Sequence, residues 1–231
     1  MIKEITRKRE VVMNNSRHLI WIGLGSLIGF GSSFVFGDLF TLPPDLYYLI
    51  YFVIVIVFFA MYTKKTRLDL KDCFSQRLGW GILLGAIFGA LMVQNVLSRP
   101  ETEKFTGLYL IWLLFWRGLI YGAIDGFLLT VFPWLVTWRA FDVREKTLRR
   151  KIGFGFLVWI FILVMTTAYH VGYSDFRSRK VIQANIGNTI MSVPTLVSGN
   201  PVASAVTHAT LHIAAVIHSP KTELFLPPHR D

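Results

Sequence analysis

Long apolar blocks alternate with short polar segments along most of this sequence. Seven blocks approach the length of a membrane-crossing helix, which needs about 20 apolar residues at a rise of about 1.5 Å per residue. They lie at residues 19–36, 46–62, 78–97, 108–138, 152–169, 182–197 and 202–218. The pattern therefore predicts an all-α, polytopic transmembrane helical bundle with about seven spans.

Two of these blocks are not simple spans. Block 108–138 is about ten residues too long for one crossing, so it tilts, protrudes from the bilayer or breaks near Pro133. Block 182–197 contains Pro194 and several polar residues, and it is either a full span or a re-entrant segment. The polar residues in question are Asn185, Asn188 and Ser192.

Composition excludes two classes of protein. Hydrophobic residues make up 53% of the chain and charged residues only 16%, against about 25% charged residues in soluble domains. This excludes a soluble enzyme and a disordered chain. Cys73 is the only cysteine, so there is no disulfide framework. With no internal repeat, we predict one transmembrane domain at 19–220, between a basic arm at 1–18 and a short polar tail at 221–231.

The placement of basic residues predicts the orientation of the chain. The net charge is +10, and sixteen of the 24 Lys and Arg residues lie in segments 1–18, 64–77 and 139–151. Because basic residues concentrate in cytoplasmic loops, the N-terminus is predicted to be cytoplasmic in a multi-pass protein of the cell membrane. The basic residues cluster at block ends, which indicates the lipid bilayer as the partner and excludes nucleic acid.

Small residues predict where helices pack closely. Gly81, Gly85 and Gly89 recur every four residues in the third block, and Gly25 and Gly29 do so in the first. Such faces let two helix backbones approach within a membrane. We therefore expect both faces to be helix contacts.

Aromatic residues near the block ends favour interfacial belts. Trp and Tyr side chains collect where the bilayer meets water, because their rings are apolar and their tips are polar. The examples here are Trp21, Tyr47, Tyr48, Tyr109 and Trp138.

A few ionisable residues interrupt the apolar blocks and are candidates for a site, because charged groups at membrane depth are costly. They are Arg117, Asp125, His170, His208 and His212. Arg117 is two turns from Asp125 and rotated by about 80° on a helix, so the two do not pair directly. A partner for Asp125 is therefore expected on another helix.

His208 and His212 are spaced i, i+4, which places both imidazoles on one helical face. Two chemistries fit this pair together with Asp125 and His170. One is a divalent metal site, such as zinc, bound by His170, His208 and His212 with the carboxylate. The other uses Asp125 as a general base beside a histidine that stabilises an oxyanion. For each residue, an interhelical hydrogen bond worth about 0.6 kcal/mol is the structural alternative.

The order of these residues resembles the CPBP family, the CAAX-protease and bacteriocin-processing intramembrane proteases. The family's motifs are EExxxR, FxxxH and HxxxN or HxxxB. Here Asp125-Gly126-xxx-Thr130, Thr166-xxx-His170 and His208-xxx-His212 occupy these places within residues 108–218. Asp125 replaces the first Glu, Gly126 the second, Thr130 the Arg and Thr166 the Phe.

The resemblance implies an intramembrane protease in which the carboxylate and histidines activate water to hydrolyse a peptide bond. Its catalytic residues would be Asp125, His170, His208 and His212, and its substrate a membrane-associated peptide or protein. Given the replaced positions, it also implies a diverged, non-proteolytic member as an alternative. Two other classes remain open, namely a transporter for a small solute or proton and a non-catalytic membrane scaffold.

Overall fold

The computed structural model describes residues 15–141, 147–222 and 224–227. Residues 1–14 of the predicted basic arm, 142–146 of the third basic segment, and 223 and 228–231 of the predicted tail lie outside the described residues. All regular structure in the described part is helical. The predicted all-α class is therefore confirmed.

Eight longer helices follow one another along the described residues, and a short 3₁₀ helix, Ser174–Phe176, lies between the sixth and the seventh. They are α1 (Asn15–Gly31, continued by a π-helical segment, Ser32–Leu39), α2 (Pro44–Thr66), α3 (Leu70–Ser75), α4 (Leu78–Leu97), α5 (Gly107–Phe141), α6 (Leu148–Val171), α7 (Lys180–Ser198) and α8 (Val202–His218).

Five of these helices are long and apolar enough to cross a membrane. They are α1 with its π-helical continuation, α2, α4, α5 and α6. The sixth and seventh predicted spans form the continuous helices α7 and α8. These two helices are not among the five. Helix α8 is shorter, with 17 residues or about 26 Å, and polar residues lower the hydropathy of α7. The structure thus supports a multi-pass membrane protein with five spans by length and composition.

Contacts at the helix ends show that α7 and α8 run between the same two ends of the bundle as the longer helices. Between α7 and α8, the Asn200 side-chain amide donates to the carbonyls of Phe74 (2.9 Å) and Gln76 (2.6 Å), just before α4 begins. At the end of α8, His218 Nε2 donates to the carbonyl of Arg99, just after α4 ends (2.9 Å). We call the end with residues 64–77 the basic end and the opposite one the far end.

Helix α5 is continuous over 35 residues and does not break near Pro133. Two π-helical segments, Leu114–Ile120 and Phe127–Val131, widen its turns. The second lies just before Pro133, where the missing N–H prevents a regular α-helical bond. Helix α7 likewise continues through Pro194, so block 182–197 forms one unbroken helix.

The predicted glycine faces are helix contacts, as expected. A Cβ on Gly85 would lie 2.7 Å from the carbonyl oxygen of Ala203, and one on Gly89 would lie 3.0 Å from Thr210 Oγ1. Helices α4 and α8 therefore pack almost backbone to backbone. Gly29 in α1 faces Tyr169 of α6 in the same way, with 3.5 Å to its Cβ.

The predicted interfacial position of two aromatic residues is wrong. Tyr47 and Tyr48 are 3% and 0% exposed, and both lie inside the bundle. Their rings pack against Tyr173 and Tyr121, which belong to other parts of the chain. Proximity to a helix end does not distinguish an interfacial ring from one that the bundle covers.

Candidate functional site

A glycine stripe on α5 brings Asp125 against α8. Gly122 and Gly126 flank Asp125 on the face that meets α8. A Cβ on Gly122 would lie 2.8 Å from Ala209 Cα, and one on Gly126 would lie 2.8 Å from His208 Cβ. Only a residue without a side chain lets the two helices come this close. The i, i+4 spacing of these glycines was the available sequence signal, although neither glycine was predicted to shape the site.

Asp125, His208 and His212 form a cluster at this contact. His208 Nδ1 lies 3.7 Å from Asp125 Oδ2, and His212 Nε2 lies 3.8 Å from the same oxygen. One ligand atom from each residue lies within 4.8 Å of the others. The three residues are 5%, 0% and 4% exposed. The structure thus brings together three of the four predicted site residues.

Neighbouring hydroxyl groups hold the cluster in place. The Tyr51 hydroxyl of α2 donates to Asp125 Oδ1 over 3.1 Å, so a partner on another helix exists as expected. Thr130 Oγ1 lies 3.1 Å from His208 Nε2. Among the described residues, the buried His208 Nδ1 has no hydrogen-bond partner. One oxygen of Asp125 and one nitrogen of His208 are therefore held by hydrogen bonds. The atoms of these two residues that face each other, Oδ2 and Nδ1, are not hydrogen-bonded to each other.

His170 lies outside this cluster. Its Nδ1 donates to the carbonyl of Thr166, one turn earlier in α6, over 2.8 Å. In this tautomer Nε2 keeps a lone pair. The ring packs against Phe176, with 4.9 Å between ring centroids. His170 therefore belongs to the wall of the same cavity as Asp125 and His212, without joining their contact.

A cavity of about 480 Å³ leads from the surface of the bundle to the cluster. Its lining is mostly apolar and includes the buried Asp125 and His212, and Arg99 and Gln183 are among its exposed lining residues. Two lining residues, Leu91 of α4 and Ile186 of α7, are 46% and 56% exposed, so the cavity borders the outside of the bundle between these helices. Buried Asn188 also lines it, and its Oδ1 has no partner among the described residues.

Four tyrosine hydroxyls join into one hydrogen-bonded group beside the cavity. The Tyr169 hydroxyl lies 3.1 Å from that of Tyr47, 3.0 Å from that of Tyr121 and 3.2 Å from that of Tyr173. Tyr173 also donates to Tyr47. Burial raises the pKa of Tyr173, which follows α6, well above its ordinary value. This group was not predicted, because its members come from three separate blocks of sequence.

The tyrosine group reaches the Asp/His cluster through a ring contact. The Tyr121 ring lies edge-on to His212, with 4.8 Å between the ring centroids. This ring contact restricts the orientation of the His212 imidazole.

Arg117 takes no part in the cluster. Its Nε and Nη2 each lie 3.1 Å from Asp45 Oδ1, at the start of α2. The ion pair joins α5 to α2, and Asp45 was not singled out from the sequence. Asp45 begins a span, where an acidic residue is unremarkable.

The polar residues of α7 and α8 are mostly used in helix contacts. Ser204 Oγ donates to the carbonyl of Met191 over 2.8 Å. Asn185 Nδ2 donates to Thr167 Oγ1 of α6 over 2.9 Å. These hydrogen bonds satisfy the polar side chains within the bundle.

No family model, no curated protein and no solved structure matches this chain significantly. The resemblance to the CPBP proteases therefore stays a prediction from its three short motifs. The geometry of the site itself supports the functional argument below.

Proposed function

We propose that the protein is a membrane-embedded hydrolase that activates water beside Asp125, His208 and His212. The observation that carries this proposal is the position of the cluster, buried at the inner end of a cavity that borders the lipid-facing surface. Ionisable groups at membrane depth that face an internal cavity are typical of functional sites. The motif resemblance supports a peptide bond as the target.

The cluster contains the groups that hydrolysis requires. A carboxylate accepts a proton from water, and an imidazole donates a hydrogen bond to the oxygen that becomes negative. The water oxygen attacks the carbonyl carbon, the C–N bond breaks, and the proton taken from water passes to the leaving amine. One water is consumed, and a carboxylic acid and an amine are released.

His170 suits a second role at the same cavity. Because its Nδ1 proton is donated to Thr166, its Nε2 lone pair is available to accept a hydrogen bond from substrate or water. We assign it to positioning and proton transfer at the cavity wall.

Exposed apolar residues at one edge of the cavity favour a substrate that arrives from the bilayer. Leu91 and Ile186 face the lipid side of the bundle, and a membrane-associated peptide could pass between α4 and α7 without entering water. Inside the cavity, the unpartnered Oδ1 of Asn188 would accept a hydrogen bond from a peptide N–H. A buried acceptor of this kind favours a ligand that carries donors.

Transport through the bundle has less support. The cavity lining includes no residue between Ser192 and Gly199 and none at the connection between α7 and α8. On that side, Thr207 donates to the carbonyl of Gly85 and Ser204 donates to that of Met191. These hydrogen bonds hold α8 against α7 and α4 on that side of the cluster.

Hydrolysis can be tested with the full chain in proteoliposomes. We would incubate it with peptides from a total membrane-protein digest in H2(18)O and identify new C-termini that carry (18)O by mass spectrometry. Asp125→Asn should reduce these products about 100-fold or more, because loss of a general base costs about 10²- to 10⁴-fold. His218→Ala, at the far end of α8, is the matched control and should leave them unchanged.

Two outcomes would contradict the proposal. One is the absence of labelled products that depend on the protein. The other is equal product formation by the wild type and by the Asp125→Asn, His208→Gln double variant, which would favour a non-catalytic scaffold.

A further inference from the structure

We infer that Asp125 Oδ2, His208 Nδ1 and His212 Nε2 bind one divalent metal ion of the zinc class. This inference deepens the proposed function and rests on the same cluster. The ligand set differs from the one predicted from the sequence, in which His170 was the third histidine. His170 lies in the cavity wall, with its Nδ1 bonded to Thr166, and does not belong to the group of close ligand atoms.

The distances within the cluster suit an ion better than direct hydrogen bonds. The two nitrogens lie 3.7 and 3.8 Å from Asp125 Oδ2, beyond the limit of about 3.2 Å for a strong N–H···O bond. Ligand atoms about 2.0 to 2.1 Å from a tetrahedral zinc ion are about 3.3 to 3.4 Å apart. The two distances to Asp125 Oδ2 exceed this spacing by about 0.3 to 0.5 Å, and all three ligand atoms lie within 4.8 Å of one another. The imidazoles would therefore move toward the carboxylate when they bind an ion.

The unpartnered nitrogen of His208 provides independent support. A buried polar atom without a partner is rare, because its desolvation is not compensated. In the tautomer in which Nε2 donates to Thr130 Oγ1, His208 Nδ1 carries a lone pair that points to no protein donor. A metal-binding histidine typically donates its other N–H to a neighbouring acceptor, as this arrangement allows.

The remaining oxygen of Asp125 is held in the manner expected for a metal ligand. Tyr51 donates to Oδ1, which leaves Oδ2 facing both imidazoles. Carboxylate ligands are commonly oriented by such a second hydrogen bond. The aspartate therefore presents one oxygen to the cluster and one to α2.

The cluster also has an open side. Asp125 and His212 line the cavity, whereas His208 lies behind them, so a fourth ligand can approach only from the cavity. Three protein ligands and one open position are the usual arrangement of a catalytic zinc site. Two imidazoles and a carboxylate are ligands that zinc accepts. With an ion bound by these three groups, the ion would take over from the carboxylate the activation of water, by polarising it toward hydroxide, and would stabilise the oxyanion in place of an imidazole.

The test is metal binding by the full-length protein in nanodiscs. After chelator treatment and titration with zinc chloride, metal analysis should find about one bound zinc per chain. Cobalt(II) in its place should give the intense visible absorption of a tetrahedral site with nitrogen and oxygen ligands. His208→Ala, His212→Ala and Asp125→Asn should each abolish stoichiometric binding.

Two variants separate this ligand set from other arrangements. His170→Ala should keep one zinc per chain, because His170 is not a ligand. Thr130→Val should weaken zinc binding about 10- to 100-fold, because it removes the partner that orients His208. Size-exclusion profiles and thermal unfolding of each apo-variant, compared with the apo-wild type, would distinguish loss of binding from loss of fold.

The outcomes separate this inference from the proposed hydrolysis. Zinc binding by the wild type without (18)O-labelled products would keep the metal site and overturn the hydrolase. Labelled products from a protein that binds no zinc in the titration would keep the hydrolase and overturn the metal site. Binding that survives in folded His208→Ala, or that is lost in folded His170→Ala, would also overturn it.

Discussion

At the scale of single residues, the buried polar groups of this protein are tied across helices that are distant in sequence. Asp125 on α5 contacts Tyr51 on α2 and two histidines on α8. Each group needs a partner because the bilayer offers none. Single substitutions at these contacts should therefore have effects well beyond the substituted atom.

We expect Tyr51→Phe to weaken zinc binding about 10- to 100-fold, because Asp125 loses the hydroxyl that orients its carboxylate. The ring of Tyr51, which stacks on Tyr47, remains in place. The measurement is competition with a zinc-chelating dye. Tyr48→Phe is the matched control on the same helix, because its buried hydroxyl has no hydrogen-bond partner among the described residues. Equal loss in both variants would contradict this prediction.

The ion pair of Arg117 and Asp45 should stabilise the contact of α5 with α2. The Arg117 side chain is 10% exposed and that of Asp45 is 45% exposed, so solvent screens the pair in part. A double-mutant cycle with Arg117→Met and Asp45→Asn should give a coupling free energy of about 1 to 2 kcal/mol. The measurement is the free energy of unfolding in mixed micelles.

A second cycle on Glu101 and Lys104 serves as a control for that coupling. Their side chains are 60% and 51% exposed, and solvent should leave no measurable coupling. The interpretation of Arg117 as structural would be wrong if its cycle gave no coupling either.

At the scale of helices, the approach of α5 to α8 depends on glycine at two positions. Gly126→Ala should destabilise the protein by about 1 to 3 kcal/mol, because the new methyl group would overlap His208. It should also reduce zinc binding by moving the imidazole. Thermal unfolding and zinc titration measure the two effects.

Gly155→Ala in α6 is the matched control for Gly126→Ala. A Cβ at Gly155 meets no atom within 4 Å, and alanine favours a helix over glycine by up to about 1 kcal/mol. The control should be neutral or slightly stabilising. Equal stability of Gly126→Ala and the wild type would show that the helices do not pack as closely as the structure has them.

At the scale of the whole molecule, the two ends of the bundle differ in charge and should face different compartments. Contacts of Arg139 with the carbonyl of Thr66 and of Asn200 with that of Phe74 gather the basic segments at one end. Glu103 and Lys221 pair at the other end over 2.6 Å. The charge asymmetry predicts a cytoplasmic basic end.

This orientation can be measured by cysteine labelling. In a Cys73→Ala background, Glu103→Cys should react with a membrane-impermeant maleimide in intact cells. Lys71→Cys should react only after the membrane is permeabilised. Both positions are exposed, so a reversed pattern would overturn the predicted orientation.

Sequence alone was sufficient for the membrane class, five of the spans and the two glycine faces. These properties depend on local composition. Any sufficiently long apolar segment is stable in a bilayer, and small residues allow close helix packing wherever they recur on one face. The polar residues of α7 left open whether block 182–197 is a full span or a re-entrant segment. A helix packed inside a bundle can form without being fully apolar, so composition does not decide between the two.

Sequence also identified Asp125, His208 and His212 as candidates, because ionisable residues are conspicuous in apolar helices. The tertiary structure decided which of them meet. It placed His170 in the cavity wall, paired Arg117 with Asp45, and moved Tyr47 from the predicted interface into a buried hydroxyl group. The contacts of Arg117 and Tyr47 join residues on different helices. The packing that creates them depends on the whole bundle, which local sequence patterns do not encode.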